Sequence, residues 1–111
     1  MMDSFIQITT TTEKREDAER IARSLVEARL AACVQIAGPI TSIYRWRGQI
    51  KQAGEWICLV KSRAEHYGAV EQTILSLHPY EVPEIVAVDI AHGSAGYLGW
   101  LRDELAAPCE D

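Results

Sequence analysis

The chain has 111 residues, 48% of them hydrophobic, with 11 basic against 16 acidic side chains and a net charge of −5. That length fits one domain, residues 1–111 with a core over about 5–105, that needs no disulfide or metal staple. The acidic balance lacks the Lys/Arg stripe that nucleic-acid binding requires. No apolar run exceeds the five residues of Trp56 to Val60, far short of the roughly 20 residues of a membrane helix. Met1-Met2-Asp3-Ser4-Phe5 lacks the charged and apolar parts of a secretion signal, so the expectation is a soluble cytoplasmic protein with no nucleic-acid or membrane partner.

Phe5 to Thr10 is rich in β-branched residues and reads as a strand. The Thr run before Glu13 offers a capping box, Thr10-x-x-Glu13, with Thr12 as an alternative cap. Ala18, Ile21, Ala22, Leu25 and Val26 then recur at helical spacing, with charged residues including Arg20 on the opposite face. Ala31 to Ile36 reads as a second strand that resumes from Ile40 to Trp46. Gly38-Pro39 interrupts it and predicts a bulge or bend, because proline cannot donate to the ladder. Arg47-Gly48 is the favoured hairpin turn, with Ala53-Gly54 as a competitor, and the returning strand covers about Gln49 to Lys61. Ser62-Arg63-Ala64-Glu65 matches a capping box, followed by a helix face of Tyr67, Val70, Ile74 and Leu77. The helix ends at His78-Pro79. Ile85 to Ile90 is the last strand, His92-Gly93 turns the chain, and Ser94 caps a final helix carrying Tyr97, Leu98, Leu101 and Leu105. No linker or repeat is evident.

This order is that of an α+β, ferredoxin-like split βαβ sandwich (βαββαβ plus a C-terminal helix), with an antiparallel sheet and helices on one face. The strands are apolar in both directions: Trp56, Cys58 and Val60 oppose Ile57 and Leu59, and Val86 and Val88 oppose Ile85 and Ala87. A sheet with one wet face would alternate apolar with polar. Both faces are therefore expected to be buried, the second against another subunit, and the long hairpin would overhang so small a domain. The three cysteines, Cys33, Cys58 and Cys109, form no Cys-x-x-Cys pair and suit a reducing compartment.

Leu30-Ala31-Ala32-Cys33-Val34, Ile43-Tyr44-Arg45-Trp46-Arg47-Gly48, Glu55-Trp56, Lys61-Ser62, His78-Pro79-Tyr80-Glu81-Val82-Pro83-Glu84 and Tyr97-Leu98-Gly99-Trp100 stand in the order found in the CutA family of divalent-cation tolerance proteins. The chain resembles that family from about Phe5 to Leu105. The resemblance implies a ferredoxin-like protomer in a homotrimer with interlocking hairpins, architecturally similar to nitrogen-regulatory PII proteins. It implies a cytoplasmic, non-enzymatic role in copper and divalent-cation tolerance, with copper(II) or another divalent cation weakly held as the cofactor. Members with an assigned copper site use a Cys near the end of the first strand and two adjacent His before the Pro-Tyr segment. Those positions are Thr9, Leu77 and His78 here, so His78 alone remains as a metal candidate.

Other readings place His78 as a cap on the helix C-terminus, and the loop between Pro79 and Pro83 as a stiff cleft wall. A PII-like alternative sets Tyr44, Trp46, Lys61, His78, Glu81 and Glu84 around an inter-subunit cleft that binds a small effector or a partner protein. In that reading Arg45, Arg47, Lys51, Lys61 and Arg63 lie as cations beside Glu55 and Glu81. Catalysis would rest on Cys33 paired with His78 or His92, yet no nucleophile elbow, phosphate loop or zinc-hydrolase motif is present. His66 falls in the first turn of the second helix and is expected to be exposed.

Overall fold

In the computed structural model, which describes residues 4–108, β1 (Phe5–Thr12), β2 (Cys33–Trp46), β3 (Gln49–Arg63) and β4 (Val86–Asp89) form one antiparallel sheet. The strand order is β2-β3-β1-β4. α1 (Arg15–Glu27) and α2 (Tyr67–Leu77) cover one face. Ile6, Ile8, Cys58 and Val60 from that face meet Ala18, Ile21 and Leu25 of α1, and Val70 and Ile74 of α2, in the main core. α3 (Ala95–Glu104) covers one end of the other face, where Leu101 and Leu105 pack on Phe5. The split βαβ order read from the sequence is the one observed, and so are the helix faces, except that Val26 and Tyr97 are exposed.

The boundaries differ in instructive ways. β1 runs on through Thr12, because consecutive β-branched threonines suit a strand. Thr10 is buried in the sheet, and Thr12 donates to the Lys14 carbonyl at 2.8 Å, so neither caps α1. β3 likewise continues through Ser62, whose hydroxyl donates 2.6 Å to the Leu30 carbonyl instead of closing a capping box. A 3-10 turn, Ala64–His66, then leads into α2. His66 is buried, not exposed: the chain after α3 returns across it, and its Nε2 lies 2.8 Å from the Ala106 carbonyl. Val26 faces solvent at the rim of α1. Ser94 caps α3 as expected, accepting from the Tyr97 amide. Cys58 is buried and Cys33 half-buried, both as free thiols; Cys109 lies outside the described residues.

The long hairpin closes at Arg47-Gly48, with Trp46 opposite Gln49. Both turn residues have positive φ, 50° and 78°, the geometry of a two-residue turn whose twist matches its strands. Gly48 adopts it without strain. The hairpin projects from the sheet, leaving Ile43 and Ile50 exposed and the molecule 46 Å long. The second sheet face, expected to be covered by another subunit, is open in the single chain. β4 is exposed along its whole length, Val86 and Val88 included, and Ile57 and Leu59 are only half-covered.

Candidate functional site

One irregularity decides which side chains meet on the uncovered face. Before Gly38, Cys33, Gln35 and Ala37 stand opposite Lys61, Leu59 and Ile57; after Pro39, Ile40, Ser42, Tyr44 and Trp46 stand opposite Glu55, Ala53, Lys51 and Gln49. β2 therefore advances three residues where β3 advances two. One extra residue in a strand exchanges its two faces. The bulge at Gly38-Pro39 thus turns Tyr44 and Trp46 onto the face that carries Glu55. It also requires a glycine: Gly38 has φ 153°, and a Cβ there would come 2.8 Å from the Trp56 ring and 3.0 Å from the Glu55 carbonyl.

The result is an open cleft of about 580 Å³ between the hairpin and the segment after α2. The hairpin supplies Ser42, Ile43, Tyr44, Trp46, Ala53 and Glu55, the end of β1 supplies Thr11 and Glu13, and the opposite wall is Tyr80 to Val82 with Glu84. Four of these residues are glutamates, and none is Lys, Arg or His. Glu55 is buried (7% exposed), and the Tyr80 hydroxyl donates to its Oε2 at 2.7 Å, joining the two walls. Burial, then the hydrogen bond and charge of Glu55, push the Tyr80 hydroxyl well above its ordinary value near 10. At the rim Arg47 pairs with Glu81 at 3.1 Å, and its guanidinium lies 5.4 Å from the centroid of the Trp46 ring.

Of the six residues that the sequence suggests for a cleft, Tyr44, Trp46, Glu81 and Glu84 line this one. Lys61 shares the face of Glu55 but lies six residues, roughly 20 Å, along the strand; its Nζ donates 2.8 Å to Gln35. His78 stands behind the wall. Its Nδ1 accepts from the Tyr80 amide (3.2 Å), which places the proton on Nε2, and Nε2 donates to the Thr11 carbonyl at 2.7 Å. The ring thus positions Tyr80, whose own ring is 4.7 Å away. Capping of the α2 C-terminus falls instead to Arg20, which donates to the Leu77 carbonyl at 3.1 Å. From the sequence, Glu13 is not legible as a site member, Glu55 reads as lying beside cations where its partner is the Tyr80 hydroxyl, and Tyr80 reads only as part of the stiff loop after Pro79. Their meeting depends on the bulge and on the segment after Pro79.

The residues present do not fit the copper set seen in other members. Thr9 carries no thiolate and sits between Leu59 and Val86, and both ring nitrogens of His78 are engaged within the chain. Among the described residues, no three of His, Cys, Asp and Glu are grouped to hold a metal ion.

The fold is that of a ferredoxin-like α+β protomer, and comparison with known proteins makes the assignment finer. Residues 6–104 match the profile of the family described as CutA1 divalent ion tolerance protein, and the chain belongs to that family. A relative from Thermus thermophilus, the divalent-cation tolerance protein CutA, is 46% identical over 102 residues, which cover 92% of this chain and 97% of the relative. A solved structure of the T. thermophilus protein superposes with a TM-score of 0.88 at 43% identity, covering 95% of this chain and all of that one. The Archaeoglobus fulgidus structure, described as a periplasmic divalent cation tolerance protein CutA, gives 0.86 at 39% identity over 93% of this chain and 98% of that one.

Proposed function

We propose that this protein acts in divalent-cation tolerance as a homotrimer, by binding and not by catalysis. The observation that carries the reading is the near full-length match to relatives named for that role. The uncovered sheet face supports assembly, since Val86 and Val88 lie on an exposed edge strand beside half-buried Ile57 and Leu59. Apolar surface of that kind marks interaction sites. Copper(II) or another divalent cation is held only weakly, since both ring nitrogens of His78 are engaged within the chain and no three of His, Cys, Asp and Glu are grouped among the described residues. The free thiols Cys33 and Cys58 suit a reducing cytoplasm. No observation favours a PII-like regulatory module.

Deletion of the gene is expected to lower copper(II) tolerance, and re-expression to restore it; unaltered growth would overturn the role. Calorimetric titration with copper(II) should give weak binding that His78→Gln leaves unchanged. Tight saturable binding abolished by that substitution would overturn the metal assignment. Val88→Glu should convert the trimer to monomer in sedimentation, whereas a parent that sediments as a monomer refutes the assembly. Fractionation of the cells decides the compartment.

A further inference from the structure

β1 ends at Thr12, which pairs with Trp56. Beyond it the hairpin continues as a two-stranded ribbon of seven pairs, from Ile40↔Glu55 to Trp46↔Gln49. The bulge at Gly38-Pro39 lies at its base, where the ladder changes register. The helices do not reach over the ribbon, since Ile43 and Ile50 on its helix side are 68% and 69% exposed. A two-stranded hairpin on its own is at best marginally stable in water. Hinged at a bulge, this one would sway in a free protomer unless another segment held it.

The segment after α2 supplies that hold. Tyr80 and Glu81 are neighbours in the chain, yet they bond to opposite ends of the ribbon. The Tyr80 hydroxyl donates to buried Glu55 at 2.7 Å, at the first pair beyond the bulge. Glu81 pairs at 3.1 Å with Arg47 in the closing turn. Glu55 and the turn are six strand residues apart, roughly 20 Å. Two attachments so widely spaced resist bending, where a single one would act as a pivot. The segment is itself fixed to the sheet: His78 donates from Nε2 to the Thr11 carbonyl at 2.7 Å and accepts the Tyr80 amide at Nδ1. Pro79 and Pro83 stiffen the backbone on either side of Tyr80. The exposed Arg47–Glu81 pair is worth little, so most of the hold comes from the bond to the buried carboxylate.

We propose that residues 78–84 form a brace that keeps the hairpin of the free protomer in the pose in which a second copy of the chain receives it. Subunits then meet with the hairpin already ordered. Ordering at the moment of contact slows and weakens association, and preorganisation removes that cost. The brace's part in assembly rests on the homotrimer reading; the brace itself does not.

Hydrogen exchange in the full-length Val88→Glu chain, expected to be monomeric, reads the brace directly. Adding Tyr80→Phe should speed exchange of the hairpin amides about tenfold, through local openings that low urea leaves unchanged. Hairpin amides as fast in Val88→Glu alone as with Tyr80→Phe, or exchanging only in step with those of Ile8 and Val60 as the whole chain unfolds, overturn the brace. Association is measured on the chain without Val88→Glu, refolded by dilution from urea at several concentrations and followed by light scattering. Its second-order rate constant should fall severalfold with Tyr80→Phe and less with Glu81→Gln. An unchanged rate in Tyr80→Phe overturns the assembly role, and these rates decide the matter if Val88→Glu fails to fold. A parent that stays monomeric at every concentration refutes the homotrimer reading instead, and exchange is then measured in that parent.

Discussion

Tyr80→Phe removes a single atom from the joint between the two walls of the cleft. The ring keeps its packing beside His78, while the buried Glu55 carboxylate loses the donor 2.7 Å from Oε2. A hydrogen bond to a charged group contributes about 1.5–3 kcal/mol net. Tyr80 is itself only half-buried, so water can reach the vacated position and the lower part of that range, about 1.5–2 kcal/mol, applies. For a chain of this length each kcal/mol shifts the thermal midpoint by roughly 3–6 °C, giving a fall of about 5–12 °C. The comparison is made by thermal and urea melts at one fixed protein concentration, because self-association adds to apparent stability.

The same substitution carries a pH signature. The folded Tyr80 hydroxyl is held above its ordinary value, so the unfolded chain loses that proton first as the solution becomes alkaline. The contribution is complete below about pH 10 and is lost as pH climbs toward the raised folded value. Tyr80→Phe should therefore lose stability less steeply than its parent above pH 10. A residual slope remains from Tyr67 and Tyr97, whose hydroxyls burial also raises. A variant within about 0.5 kcal/mol of its parent at pH 7, the usual scatter of inert surface changes, with an unchanged alkaline slope, refutes the joint.

Two further outcomes are expected. Gly38→Ala forces a side chain into left-handed backbone and against the Trp56 ring and the Glu55 carbonyl; strain and overpacking together should cost about 2–4 kcal/mol. Chemical denaturation measures this, and a loss below about 0.5 kcal/mol contradicts the need for glycine. Burial pushes the Cys58 thiol up to about 11, leaving on the order of one thiolate per thousand at pH 8. Iodoacetamide at that pH should leave Cys58 unmodified in the folded protein and alkylate it in urea, as mass spectrometry of the peptides would show. Because the folded value exceeds the unfolded one near 9, stability from this group declines only above pH 9.

The contrast between what was legible and what was not comes down to the range of the signals. Helical spacing reports a face within one element, and Ala18, Ile21 and Leu25 are buried on α1 as that spacing implies. Period-2 alternation does the same for a strand, and it placed Ile57 and Leu59 opposite Cys58 and Val60. Neither signal reports distance along an element, which is why Lys61 and Glu55 share a face without sharing a site. Local cues also compete: Thr10-x-x-Glu13 and Ser62-x-x-Glu65 have the form of capping boxes, but pairing of β1 with β3 from Phe5↔Arg63 to Thr12↔Trp56 takes both segments into the sheet. The decisive quantity for the cleft is a parity. Gly38-Pro39 was readable as a bulge or bend, whereas the number of residues it inserts into the ladder was not. That number is one, and an odd insertion is what brings Tyr44 and Trp46 round to Glu55. With none, or with two, the aromatic residues of the hairpin would share a face with Cys58 and Val60, and the carboxylate would stand without them. The cleft is therefore a consequence of register, and Gly38, which touches no ligand, is the residue on which its composition most depends.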